Sequence, residues 1–526
     1  MDAMCKITQK LCLLTLLAIP PALHAQGWGV VRGGCTPGLA NSDTINTTRA
    51  AYAQKRLKTP TTRWDSSRVY KQLVVLVAYS DTDFSREDPQ GDYNKIFNEA
   101  GYNEGLGAGC VADYFREQSA GLFNVEFDVF GPYKTTTKAQ PYTSPTSNTK
   151  NYGTTAIKQA TDSLIANHPE LNYKQYDWNG DGYVDQVIYV AAGYTGNQGG
   201  KRSYGYLWPN TGTISTVKCP DGTKISDYTA SAELWLGNKS CGIGTICHEF
   251  SHTLGLPDIY PTTSSKYYSI CDEWDLMDGG NFTNKGWCPP NYTAQEKIYM
   301  GWLTPIELTD TTTITGMKAI SEGGETYIIR HTDSEYFLLE NRQWTGWDAC
   351  SPGRGLVITH VDFDGSVWRG NTVNINEKHL RYDLVHADNL DYEQWHDVIT
   401  ERKWDTWTDM DIAMHSHYLA TSPYPWQTDS TTFVNREFTD TSTPAAVTFY
   451  ANADGKRLLS KSISNISMTP DGLISFDFLG NVLAAITEIK TPRYGNSESV
   501  YDLQGRRVEN PRRGIYIRNG KKLMIR

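Results

Sequence analysis

Two kinds of hydrophobic pattern divide the chain, and the change between them falls near residue 305. "KQLVVLVAYS" at 71–80 and "QVIYVAAGY" at 186–194 are short, almost unbroken apolar runs, which predicts buried strands. Between them, "CVADYFREQSAGLF" (110–123) and "TAIKQATDSLIANH" (155–168) carry apolar residues at helical spacing. Strands alternating with helices predict a mixed α/β (α+β) domain over 66–305, closing near "AQEKIYMGWLTP" (294–305). Further on, "ETYIIRHT", "EYFLLENRQ", "GLVITHVDFD", "AAVTFYAN" and "LISFDFLG" are short strand-like runs separated by turn residues. They predict an all-β, sandwich-like domain over 306–480. A small β module is expected over 481–526, where Asn519-Gly520 between two alternating runs signals a hairpin.

The N-terminus follows neither pattern. Lys6 and Lys10 precede "LCLLTLLAIPPAL", and "LHA" closes at Ala25, which predicts an export signal over 1–25 rather than a buried helix. Residues 26–65 are polar, without a sustained period, and read as a leader or pro-segment. No later stretch is long and apolar enough to span a bilayer. Hydrophobic residues make up 39% and charged residues 21% of 526 positions, so two or three ordinary cores can form. A net charge of −10 argues against nucleic-acid binding, while the ten Lys/Arg against four Asp/Glu in 481–526 set that tail apart. Eight of the ten cysteines lie beyond the signal, and an exported chain can pair them in disulfides, some of which would brace the region around 246–260.

That region, "ICHEFSHTLGLPDIY" at 246–260, holds the densest chemistry. Residues four apart on a helix lie about 40° apart around its axis, so His248 and His252 share a face. Ile246, Phe250 and Leu254 fall on roughly the opposite side and can be buried. Two neutral imidazoles at this spacing suit zinc, with Glu249 placed to contact a metal-bound water as general base. Gly255 is suited to end the helix in a left-handed turn, and Pro257 stiffens the departing chain. The reversal can bring Asp258 back as third ligand, with Asp272, Glu273 or a distant histidine as rivals. HExxH alone arises by chance in on the order of one chain in a hundred of this length, but the full H-E-x-x-H-x-x-G-x-x-D pattern is far rarer.

With "LVVLVAYSDTDF", "ADYFREQSAGLFNVEFDVFGPY", "DWNGDGYVDQVIYVAAGY", "GTICHEFSHTLGLPDIY", "WDLMDGG", "YTAQEKIYMGWLTP" and "YFLLENRQWTGWD" in this order, the chain resembles the immune inhibitor A family of secreted bacterial metallopeptidases. The resemblance covers roughly 70–480 and implies a metzincin-like zinc endopeptidase domain followed by a β-rich domain. It implies that His248, His252 and Asp258 bind zinc, that Glu249 is base and acid, and that Met277 forms the floor of a Met-turn. Several metzincins carry a tyrosine two residues after that methionine; here the position is Gly279, and Tyr292 is the substitute expected to steady the oxyanion. The tail resembles the sorting domains of type IX secretion cargo, which implies contact with secretion machinery.

Other stretches are less specific. "DWNGDGYVDQV" places Asp177, Asn179, Asp181, Tyr183 and Asp185 at EF-hand-like positions around Gly182, but Ile188 stands where the bidentate glutamate belongs. Structural calcium and an Asx-rich turn are both open readings. Cys35 in "VVRGGCTPG" is either a disulfide partner or a thiolate that blocks the zinc site. His360, Asp362 and Asp364 in "ITHVDFD" read as hydrogen bonding within a sheet. The expected activity is hydrolysis of peptide bonds in extracellular or cell-surface proteins. The alternative is an adhesion or glycan-binding protein with a vestigial zinc site.

Overall fold

The computed structural model describes residues 64–104, 107–139, 152–196, 207–235, 239–262, 270–390, 419–427, 434–479, 500–501, 507–518 and 521–525. The export signal, nearly all of the leader, and Cys35 lie outside the described residues. The chain forms two units, one ending at Phe478 and one starting at Leu479.

In the first unit, strand β1 (Val69–Ala78) is buried without interruption from Gln72 to Ala78. It runs parallel to β2 (Asn124–Lys134) on one side and β3 (Val187–Ala191) on the other. The sheet continues through β4 (Asn210–Lys218) and β5 (Lys224–Ala232) in the order β2-β1-β3-β5-β4, with only edge strand β4 antiparallel to its neighbour. Helices cover both faces, which explains why β3, and β1 from Leu73 onward, are apolar at every position instead of alternating. Leu73, Val75, Val77 and Tyr189 meet Ile157, Ala160 and Leu164 of α3 (Tyr152–Asn167). On the other face, Val74, Leu76, Ile188 and Val190 share a core with residues from α1 (Pro89–Asn98), α2 (Val111–Gln118) and α4 (Gly244–Leu254).

That second core does not stop at residue 305. After a short pair, β6 (Leu234–Trp235) with β7 (Lys239–Ser240), and helix α5 (Ala294–Met300), come β8 (Ile306–Glu307), β9 (Thr312–Met317), β10 (Tyr327–Arg330), β11 (Glu335–Arg342), β12 (Gly355–Asp362), α6 (Gly365–Arg369) and β13 (Tyr382–Val385). Strands β13-β12-β11-β10-β8 form a second sheet, and β11 is buried along its whole length. Its Leu338, with Val357, Val361, Trp368 and Tyr382, belongs to the same cluster as Ile246 and Phe250 of α4. Polar contacts cross too. Buried Arg342 binds Asp348 at 2.8 Å and the Asn291 carbonyl at 3.1 Å, and Asp348 accepts from the Asn291 amide at 3.0 Å. The unit also contains β14 (Trp426–Gln427) paired with β15 (Val434–Asn435), and a three-stranded sheet of β16 (Ile463–Met468), β17 (Ile474–Phe478) and β9.

"AAVTFYAN" is not the strand expected from its pattern; only Val447 makes an isolated bridge, to Leu458. Its amides go elsewhere, with the Glu335 carboxylate accepting from Phe449 N at 2.6 Å and Tyr450 N at 3.1 Å. The expected disulfide bracing is also absent among the described residues. All seven described cysteines are free thiols, six of them buried.

The second unit contains β18 (Val500–Tyr501), β19 (Arg507–Val508), β20 (Gly514–Arg518) and β21 (Lys521–Ile525) in the order β19-β18-β20-β21. Arg518 pairs with Lys521 across the β20–β21 hairpin, and Asn519-Gly520 lies outside the described residues.

Candidate metal centre

Helix α4 is buried on every side, and its sequence separates the surfaces. Ile246, Phe250 and Leu254 enter the core, while His248 and His252 turn towards the chain that follows the helix. Gly255 ends it at φ +109°, a conformation that a side chain disfavours, and its amide caps the Ser251 and His252 carbonyls. The chain turns back, and Asp258 arrives between the imidazoles.

His248 Nε2 and His252 Nε2 lie 3.2 and 3.1 Å from the same oxygen, Asp258 Oδ1. The rings are nearly perpendicular, at 88°, with centroids 4.9 Å apart. Both Nε2 atoms are buried, and neither makes a hydrogen bond. A buried polar atom left in that state costs about 1–3 kcal/mol, so two aimed at one point need a compensating partner. Their other nitrogens are committed, His248 Nδ1 to the Leu276 carbonyl at 2.7 Å and His252 Nδ1 to the Leu256 carbonyl at 2.8 Å. Carbonyls only accept, so each Nδ1 carries the proton and each neutral ring presents a lone pair at Nε2. Burial lowers the pKa of His248, yet Asp258 and Glu249 outweigh it and raise the value from its usual one. The pocket therefore favours positive charge. Two imidazoles and one carboxylate are a donor set that suits zinc. Among the described residues this is the single group of three such donors within reach of one ion.

Glu249 is wholly buried beside His248. Thr211, on edge strand β4, holds it from below. Its Oγ1 is 2.7 Å from the Glu249 carbonyl and 3.2 Å from Oε2. Asp272 and Glu273, the rival ligands, are buried but do not join the group. Met277 is wholly buried in the core that includes α4, and its carbonyl accepts from Ile259 N at 2.9 Å. A side chain at Gly279 would require the buried Asp272 carboxylate to move, because an added Cβ would lie 2.2 Å from Asp272 Oδ1.

Tyr292 is placed as a packing residue. Its hydroxyl bonds Ser251 Oγ, and its ring packs against Tyr114 and Trp302 with no exposure. Because Ser251 Oγ donates to the Cys247 carbonyl, the Tyr292 hydroxyl is the donor to Ser251, and its proton is spent there. The calcium expectation for Asp177, Asn179, Asp181, Tyr183 and Asp185 finds no support either. Asp177 caps the amides of Gly180, Asp181 and Gly182 at 2.8, 3.1 and 2.8 Å, and Asp181 caps Tyr183 N at 2.9 Å. Asn179 accepts from Asp181 N at 2.9 Å, and Asp185 from Trp178 N at 2.5 Å. Asn179 and Asp181 thus close Asx turns, while Asp177 gathers the loop amides and Asp185 ties the loop back to Trp178 ahead of β3. His360 pairs across the sheet with Glu335 at 2.8 Å, as a sheet residue should.

One site residue was missed. Asn371 sits in the β12–β13 connection, 113 positions beyond Asp258, and holds that ligand twice. It donates through Nδ2 to Asp258 Oδ2 at 2.8 Å and accepts from Asp258 N at 2.6 Å. No local pattern marks it.

Residues 59–302 match the family described as immune inhibitor A peptidase M6, catalytic domain. Immune inhibitor A of Bacillus thuringiensis subsp. alesti is 26% identical over 273 residues, covering 44% of this chain and 39% of that protein. The pre-pro-metalloprotease PrtV of Vibrio cholerae serotype O1 (strain M66-2) is 23% identical over 268 residues, 46% of this chain and 28% of that one. The matched stretch spans under two-fifths of either relative's length.

Proposed function

We propose that this chain, which through residues 59–302 belongs to the immune inhibitor A peptidase M6 family, is an exported zinc-dependent endopeptidase acting on extracellular proteins. The observation that carries the reading is the convergence of His248, His252 and Asp258 beside a buried Glu249. Zinc, when bound, polarises a scissile carbonyl and makes a nucleophilic water available near neutral pH. His248 and His252 supply neutral Nε2 donors, fixed in that tautomer by the Leu276 and Leu256 carbonyls. Asp258 adds one negative charge, which leaves the site at net +1 and shifts more of the deprotonation onto Glu249. Glu249 takes the proton of the attacking water and returns one to the leaving amine nitrogen. Thr211 holds the carboxylate in position for both transfers.

The order of the first sheet, its antiparallel edge strand beside α4 and the turn at Met277 support a metzincin-like architecture. The export signal over 1–25 and the sorting-type module over 481–526 rest on sequence pattern; the pro-segment over 26–65 draws additional support from the "pre-pro" in the name of PrtV.

The test is Glu249→Ala in the full chain, with casein as substrate and zinc content measured in parallel. Zinc should stay at wild-type stoichiometry while cleavage falls by about 10²–10⁴-fold. Full activity in that variant would overturn the mechanism.

A further inference from the structure

We infer that the β12–β13 connection is a working part of the metal centre, with Asn371 as the positioning residue that decides which oxygen of Asp258 faces the imidazoles. This rests on the zinc reading above and goes beyond it, because Asn371 lies outside the region matched to the family, 59–302.

The two bonds from Asn371 fix both ends of its amide. Oδ1 must face an N–H and Nδ2 must face an acceptor, and Asp258 provides one of each. Asp258 Oδ2 is thereby occupied, and Oδ1 is the oxygen that both Nε2 atoms meet. The carboxylate cannot rotate without breaking the bond at 2.8 Å, so it offers a single, pre-aimed donor atom. The grip is built from more than one residue. Thr262 Oγ1 donates to the Asn371 carbonyl at 2.7 Å, and the Asn371 amide reaches Trp368 O at 3.2 Å. Three positions on, buried Asn374 donates to the Ile259 carbonyl at 2.9 Å and to Tyr382 O at 2.8 Å, joining the ligand-bearing bend to β13. Asn371 itself is 3% exposed and has φ +55°, a left-handed conformation that asparagine tolerates and most residues do not.

The backbone geometry makes the test clean. Glycine adopts positive φ without strain, so Asn371→Gly removes the amide and leaves the turn in place. Asn371→Asp keeps size and shape but sets a carboxylate against Asp258 Oδ2. Zinc affinity of the full chain would be measured by chelator competition, alongside thermal melting of the zinc-stripped proteins. Both variants should bind zinc about 10–100-fold more weakly. Asn371→Gly should do so while staying folded, its zinc-free melting temperature lowered only by what the unpaired Asp258 amide costs. Asn371→Asp, which still accepts from that amide, should lose as much zinc affinity with less loss of stability, a split that a merely structural residue would not give. Affinity within twofold of wild type in either folded variant overturns the proposal and leaves the zinc reading intact. A wild-type chain that takes up no zinc overturns both.

Discussion

Two stretches of this chain look like metal sites in sequence, and among the described residues only one brings three metal-ligating side chains within reach of one ion. The loop at 177–185 and the helix-and-bend at 248–258 both space oxygen or nitrogen donors in recognised ways. In the loop, each acidic side chain turns back on its own backbone, and Asp177 alone caps three amides. In the helix, the backbone groups are satisfied by the helix itself, so the side chains are left to face one another. His248 and His252 end with buried Nε2 atoms that make no hydrogen bond. Spacing nominates a metal site, but the decisive observation is which polar atoms the fold leaves unanswered.

The contrast can be broken most forcefully at a ligand. Substituting His252→Ala should remove zinc from the purified chain and abolish casein cleavage. It should also erase the zinc-dependent rise in melting temperature, which at a thousandfold excess over Kd corresponds to about 4 kcal/mol. Retained zinc in this variant would place the ion elsewhere.

A third buried histidine sharpens the meaning of the pocket's charge. His386 bonds Ser422 at 2.8 Å, and burial pushes its pKa down to about 3, the opposite of the direction at His248. In the unfolded chain this imidazole takes up a proton near pH 6.5, whereas in the folded protein it stays neutral until about pH 3. Its contribution is therefore complete above pH 6.5 and is lost as pH falls towards 3. Relative to His386→Gln, the wild type should lose about 1.4 kcal/mol per pH unit across that window. Denaturant melts of the two proteins at several pH values read the difference, and parallel slopes would refute it.

The smallest effect belongs to the loop. Asp177→Ala strips three amide caps and should cost about 1–3 kcal/mol of stability, with zinc content and cleavage unchanged. Millimolar calcium should leave the melting temperature of either protein where it was. A calcium-dependent rise in the wild type that the variant lacks would restore the loop as an ion site.

Much of this was legible because it is local. The period of "KQLVVLVAYS", the face shared by His248 and His252, and the turn at Gly255 each follow from residues within one helix turn or one strand. What escaped was the long-range part. Asn371 reaches Asp258 from 113 positions away and carries no motif. Tyr292 lies near the motif in sequence, but its hydroxyl is spent on Ser251 inside an aromatic cluster. "AAVTFYAN" alternates like a strand, yet the amides of Phe449 and Tyr450 are claimed by Glu335, which no window around it contains. The Asx loop is ambiguous for a different reason, since the same carboxylate spacing serves a cation or the backbone amides.

The most direct measurement is a crystal structure of the zinc-loaded full chain with anomalous scattering recorded at the zinc edge. A single peak should lie about 2.0–2.2 Å from His248 Nε2, His252 Nε2 and Asp258 Oδ1, with Glu249 beside it and Asn371 still on Oδ2. A peak held by other residues, with both imidazoles still turned on Asp258, would contradict the account.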